Sequence, residues 1–344
     1  MGINISVGSV LRTLGKGVLG IATLAAVASG VLFLNSGTKM NNAEGVKETR
    51  ELAADISTQI NNQRSNVLEG IYDIPKVYTI PWSETPVTKP KAEGYTYKKG
   101  IPVQYEDETI SVTYWTERFK DSNVHLAKIV IQHPTQLRTA IAGGTYGKEA
   151  RYTPKQIAQQ VNAVIATNAD YYNYRTGGVL KRQNVLYRNK PQGWDLLMID
   201  KNGDFHIYYD KDEEVQRMLE EGDIVNTLHF GPSLVIDGKV NLMHTVSGCG
   251  TLWGGKMSPR TAIGQVDKLT YLMCCVEGRM SNSLGISTKQ LAELMLSKGC
   301  TQAYCLDGGQ STAMIFDGKL LNRPLWGGMR TVSDVVYFAS ALTE

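Results

Sequence analysis

No C-x-x-C pair occurs in the 344 residues, and the five cysteines (Cys249, Cys274, Cys275, Cys300 and Cys305) all lie in the C-terminal half. That spacing excludes the common cysteine-based metal sites. Adjacent Cys274 and Cys275 would point to opposite faces of a strand, so they read as small buried apolar thiols. A Cys300–Cys305 bridge is one disulfide that an oxidising compartment would permit. The chain also lacks any block of Lys and Arg with interleaved aromatics, and its net charge is only +3, which excludes a nucleic-acid partner. There is no internal repeat and no G-x-S-x-G, so Ser311 in "GGQST" is not an activated nucleophile. The histidines, His125, His133, His206, His229 and His244, all fall outside the polar motifs described below. Their placement argues against a Ser-His-Asp triad and a His-ligated zinc. Asp and Asn turns could hold a structural Ca²⁺, but no EF-hand spacing supports one, so no metal or cofactor is expected.

What is present is an ordinary globular composition, 42% hydrophobic and 20% charged, long enough for one large domain or two. Behind Arg12 and Lys16, residues 18–34 ("VLGIATLAAVASGVLFL") carry no charge and approach the ~20 residues needed to span a bilayer. The segment reads as an uncleaved anchor with the body outside the cytoplasm. The competing reading is a signal peptide cut after Ala26-Val27-Ala28, which would make the protein secreted. Residues 1–35 are therefore anchor or signal. Residues 36–94 form a stalk helix (Leu52, Ile56 and Ile60 at helical spacing) and a Pro-rich linker or strap. Residues 95–344 form the folded body, starting near Tyr95.

Within the body, "ISVTYWTERF" and "VHLAKIVIQH" read as strands. "TPKQIAQQVN" reads as a helix capped by Thr153, and "STKQLAELMLSKG" as a helix from an N-cap at Ser287 to a stop at Gly299. Asn202-Gly203, Asp237-Gly238 and Asp317-Gly318 lie between strand-like runs and predict hairpins. The expected fold is α+β (mixed α/β), a β-rich domain with a few helices packed on the sheet.

Four strand ends are unusually polar: "TNADYYN" with Asn168 and Asp170, "SPRTAIG" with Arg260, "CCVEGR" with Glu277 and Arg279, and "CLDGGQST" with Asp307, Gly308, Gly309, Gln310, Ser311 and Thr312. Singly, each is a plausible turn. Together they supply carboxylates for acid–base work, guanidiniums for a phosphate or carboxylate, and glycines that let backbone N–H groups approach an anion. In this order, with "HFGPSLVIDGKV" and "LNRP", the motifs make residues 124–338 resemble the phosphodiester glycosidase family.

The resemblance implies hydrolysis of a sugar-1-phosphodiester on extracellular or cell-surface glycans. It implies catalytic roles among Glu277, Asp307 and Asn168; Asp170, a carboxylate in the same motif as Asn168, is a further catalytic candidate on its own chemistry. Substrate binding would fall to Arg260, Arg279, Gly308, Gly309, Ser311 and Thr312, and the Gln310 side chain in the same turn is a candidate sugar contact of this chain's own. Two positions depart from the family pattern: Gln310 stands where a third glycine is common, and Glu277 where aspartate is frequent. An ordinary glycoside hydrolase, or a non-catalytic, membrane-tethered glycan-binding or envelope-assembly protein, stays open as an alternative. The sequence does not fix the oligomeric state.

Overall fold

The computed structural model describes residues 77–88, 102–147, 151–241 and 256–343. The expected membrane segment, the stalk helix and Cys249 lie outside the described residues. Among the described residues no helix is long and apolar enough to cross a membrane.

Three α-helices and eighteen strands, numbered in chain order, make up the described body. The largest sheet runs β1 (Val103–Glu106), β2 (Ile110–Phe119), β3 (Ser122–Ile131), β14 (Thr270–Val276), β13 (Arg260–Asp267), β15 (Gln302–Leu306), β11 (Ser233–Ile236), β12 (Lys239–Val240). A five-stranded sheet runs β17 (Lys319–Leu320), β16 (Met314–Phe316), β5 (Ile165–Asn168), β18 (Asp334–Phe338), β4 (Leu137–Ile141). Smaller sheets pair β10 (Ile224–Leu228), β8 (Asp195–Asp200) and β9 (Phe205–Tyr209), and β6 (Gly178–Arg182) with β7 (Val185–Lys190). Every pairing is antiparallel, so the β-rich expectation holds and none of the sheets is the parallel kind.

The layers follow from alternation. One face of the large sheet (Tyr114, Ile129, Ile263, Met273, Cys275, Leu306) packs on Ile165, Met314, Val336 and Phe338 of the five-stranded sheet. Its other face (Leu126, Ala262, Leu272, Cys274, Cys305) receives the Leu291, Leu294 and Met295 stripe of an α-helix, Thr288–Ser297. Burying each such leucine is worth roughly 1.5–3 kcal/mol. Cys274 and Cys275 thus sit in different cores, as strand periodicity requires. Cys300 and Cys305 are free and buried, as the reading of small apolar thiols has it, and the bridge that an oxidising compartment would permit is not formed between them. Both side chains fill the apolar layer under that helix.

The local signals operate as read. Ser287 and Gln290 form a capping box and Gly299 follows the helix at φ +86. Thr153 and Gln156 cap the helix Pro154–Gln160, with Pro154 at its first position. The third helix, Glu213–Glu220, buries Val215 and Leu219 against Leu196 and Met198. The three predicted hairpins join β8–β9, β11–β12 and β16–β17. The Pro-rich stretch is a strap over residues 77–88. The Arg138 guanidinium donates to the carbonyls of Ile80, Pro81, Trp82 and Glu84, and Ile80 is buried with Ile157 and Tyr337.

Candidate active site

Register brings the polar strand ends to one end of the sandwich. Arg260 opens β13 opposite Val276, and Thr261 lies opposite Leu306. Glu277 and Asp307, the residues just after β14 and β15, therefore emerge on either side of β13. In the facing sheet Asn168 ends β5 beside Ala313 and Val335.

Three of the motifs lock around one residue. A Cβ on Gly278 would sit 2.6 Å from the Pro259 nitrogen, and one on Gly308 would sit 2.7 Å from the Pro259 carbonyl. Only hydrogen fits at either position. Gly309 donates to that same carbonyl at 3.0 Å and has a φ of +62 with open space around it, so its need is conformational. Gln310 and Ser311 follow in a short 3-10 turn, in which Gln310 is half-buried and Ser311 buried.

Glu277 is buried at the base of a cleft of about 890 Å³ lined by Arg118, Asn123, His125, Asn322 and Arg323 among others. Its carboxylate accepts from His125 Nε2 (3.0 Å), Asn123 Nδ2 (2.9 Å) and the Arg323 backbone N–H (2.6 Å). With Nε2 donating, the Tyr114 hydroxyl donates to His125 Nδ1 at 2.8 Å in the neutral ring. Burial pushes the carboxyl up, but these three donors outweigh it and hold Glu277 below the usual glutamate range.

Asp307 is the opposite case. Burial pushes it up to about 6, against the pull of the Ser311 hydroxyl (2.5 Å) and the nearby Arg330 charge. It does not line the Glu277 cleft. The two are joined by a hydrogen-bond chain. Asn322, next to Arg323, donates to the Thr312 carbonyl. Thr261 Oγ1 bridges Thr312 Oγ1 and Asn168 Oδ1, and Asn168 Nδ2 donates to the Asp307 carbonyl at 2.6 Å.

The other expected residues are placed less openly. Asn168 is 1% exposed, and its amide is used up by Asp307, Thr261 and the Ala313 N–H. Asp170 is enclosed in an ion network. Both its oxygens accept from Arg175 Nη2 at 2.8 Å, Arg182 stands 3.5 Å away, and the His229 N–H donates to it. Burial pushes Asp170 up, but Arg175, Arg182 and His229 together hold it below its ordinary range. Neither residue offers a free group to a substrate, because folding has already spent their polar atoms. Arg260 is buried, its Nε and Nη2 donating to the Ile286 and Lys256 carbonyls. Arg279 is exposed, reaches Ser258 Oγ at 2.8 Å and holds a left-handed φ of 55. Ser311 and Thr312 serve Asp307 and Thr261.

Sequence reasoning missed His125, Asn123, Arg323 and the Arg182–Asp334 pair. A histidine and an asparagine at the start of the apolar strand "SNVHLAKIVI" were the available signal for the first two. Among the described residues no cluster of His, Cys, Asp and Glu could hold a metal.

Fold and site together define an antiparallel β-sandwich protein with an acid-and-arginine centre at one end of its sheets. Residues 161–339, more than half of the chain, match the phosphodiester glycosidase family model, and the chain belongs to that family. It is 26% identical over 243 residues to the SPbeta prophage-derived uncharacterized protein YomE of Bacillus subtilis (strain 168), covering 67% of this chain and 37% of that protein. It is 24% identical over 245 residues to the N-acetylglucosamine-1-phosphodiester alpha-N-acetylglucosaminidase of Bos taurus, covering 65% of this chain and 46% of that enzyme. The matches thus span less than half the length of these relatives. The catalytic domain of the zebrafish N-acetylglucosamine-1-phosphodiester alpha-N-acetylglucosaminidase, solved auto-inhibited by its pro-peptide, shares the fold. Its TM-score is 0.54 at 18% identity, over 75% of this chain and 88% of that one.

Proposed function

We infer that the protein hydrolyses a sugar-1-phosphodiester, releasing free sugar and a phosphomonoester. One observation carries the reading: two carboxyls at the same end of the sandwich are pushed in opposite directions, Glu277 down and Asp307 up to about 6. Carboxyl groups with such unlike environments take unlike roles. Burial that raises Asp307 to about 6 brings it close to the pH range where proton transfer is most effective. This role requires the sugar to extend past the Glu277 cleft to Asp307, which takes a proton from water as the water oxygen bonds to the anomeric carbon and the bond from that carbon to the phosphate oxygen breaks. Glu277 stays ionised and stabilises the positive charge developing on the sugar ring.

The departing phosphate is a good leaving group and needs cations more than a strong acid. Arg323 lines the cleft beside Glu277, and Arg279 lies two residues beyond it on the exposed side. Both are assigned to the phosphate. Arg260, Asn168 and Asp170 are assigned to framing, and Gln310, with no side-chain hydrogen bond among the described residues, to sugar contact. The extracytoplasmic address rests on residues 18–34.

The full chain, incubated with a sugar-1-phosphodiester and with a simple aryl glycoside, should turn over the first and not the second. Turnover of the aryl glycoside alone would favour an ordinary glycosidase. Binding without any turnover would favour a glycan-binding protein.

The Asp307 assignment predicts a pH profile. Since Asp307 must be ionised to accept a proton, kcat/KM should fall below an apparent pKa near 6. Asp307→Asn should remove that limb along with a factor of about 10²–10⁴ in rate. An acid limb near 4 in the wild type would sink the assignment. Stability should move the other way. A raised carboxyl binds its proton more tightly in the folded state, so stability falls as pH climbs from the ordinary aspartate range through about 6. At pH 7 Asp307→Asn is therefore expected to stabilise the fold by about 1–3 kcal/mol, trimmed by solvent at this half-buried position. Urea titrations at pH 4 and pH 7 would measure the difference.

A further inference from the structure

A second cavity, of about 400 Å³, lies outside the Glu277 cleft and shares none of its lining residues. Three arginines line it, Arg151, Arg175 and Arg188, with Tyr146, Tyr172 and Ser333, and no carboxylate does. The nearest acids are already engaged. Asp170 is held by Arg175 and Arg182, and Asp334 accepts from Arg182 at 2.5 Å. Two carboxylates thus answer four guanidiniums, and the surplus positive charge belongs to the cavity.

The arginines are also unfinished as hydrogen-bond donors. Arg175 uses Nη2 on Asp170, while its buried Nε and Nη1 have no hydrogen-bond partner. Its guanidinium lies against the rings of Tyr171 (5.1 Å) and Trp194 (5.5 Å), which fixes its plane. Arg188 Nη1 donates to the Arg175 carbonyl at 2.8 Å, so one arginine holds the backbone of the other, and its own buried Nε is unpaired. Arg151 is solvent-exposed at the wall. The unpaired nitrogens of Arg175 and Arg188 are closed to solvent; what the cavity offers is a lining of three guanidiniums with no carboxylate among them, and an anion is the partner that neutralises it. Guanidiniums prefer planar or tetrahedral oxyanions gripped by two N–H groups. Tyr146, partly exposed at the wall and backed by the buried Tyr172 ring at 5.9 Å, adds an aromatic side chain of the kind that sugar rings pack on.

We propose that this cavity is a second binding site, for a phosphate group carried on a sugar, distinct from the site where the glycosidic bond would be cut. Occupation needs no chemistry at Glu277 or Asp307, so the proposal stands or falls separately from the hydrolytic reading. In a substrate with repeating sugar phosphates, such a site would hold a neighbouring unit while another is cleaved.

Isothermal titration of the full chain with inorganic phosphate and with a hexose 1-phosphate tests it. The sugar phosphate should bind more tightly than inorganic phosphate, and Arg151→Gln and Arg188→Gln should each weaken it about tenfold or more. Arg323→Gln, which weakens the cleft's own hold on phosphate, should leave the binding component of the cavity in place. Arg151→Gln is the safer variant, because Arg188 also braces backbone carbonyls; circular dichroism would verify that both are folded. Absence of binding, or binding in the Arg323→Gln background that survives both cavity substitutions, would overturn the proposal. So would binding lost only in Arg323→Gln, which would assign the phosphate to the cleft.

Discussion

Replacing Glu277 with glutamine is expected to lower kcat by about 10²–10³-fold with little change in KM. The substitution keeps the shape of the side chain, removes the charge and replaces the oxygen that accepts from Asn123 Nδ2 with an amide nitrogen. Glutamine can still accept from His125 or the Arg323 N–H through its one oxygen, so the cleft stays formed. What is lost is a fixed negative charge in a largely buried position, where it acts with less screening than in water. Because that charge matters most when the sugar becomes positive, the loss belongs in kcat rather than KM. Glu277→Asp should fall between, since the shorter chain draws the carboxylate back from His125, Asn123 and Arg323 but keeps its charge. Steady-state kinetics on a sugar-1-phosphodiester would decide the matter. A Glu277→Gln enzyme within threefold of wild type would remove Glu277 from the chemistry.

The second large effect concerns folding. Arg182→Met should destabilise the protein by about 3–5 kcal/mol, a large part of the 5–15 kcal/mol that holds a typical domain together. Arg182 is buried, and its Nε and Nη2 grip Asp334 at 2.9 and 2.5 Å. Its Nη1 donates to the Lys181 and Thr227 carbonyls. Methionine fills the volume but leaves Asp334 and Asp170 as close neighbours, with Arg175 alone to offset both. Adding Asp334→Asn should recover part of the loss, and the coupling measured by a double-mutant cycle in urea would report on the pair. A cost below 1 kcal/mol for Arg182→Met would mean that the network contributes little.

These two predictions sit at opposite ends of what can be read from sequence. The polar strand ends carrying Glu277 and Asp307 were visible because apolar runs stop there, and their grouping followed from motif order. Asp170 and Asn168 were equally visible, but their roles were not. A carboxylate next to a strand looks the same in one dimension whether it faces a cleft or two arginines. His125 was set aside because it lies in no motif, yet its ring meets Glu277 across a separation of 152 residues.

Sequence alone determined the local elements: the capped helices at Thr153 and Ser287, the three Gly-turn hairpins, and the opposite facing of Cys274 and Cys275. Each depends on preferences that act over a few residues, namely φ > 0 at a glycine, a hydroxyl on a free N–H, or side-chain alternation along a strand. Only the tertiary structure decided that β14 lies between β3 and β13, placing His125 and Asn123 behind Glu277. It alone decided that Arg182 meets Asp334, again 152 residues away, and that three arginines share one cavity. Those outcomes rest on sheet order and register. Both are set by how two apolar faces pack over the whole chain, and no short window of sequence contains that information.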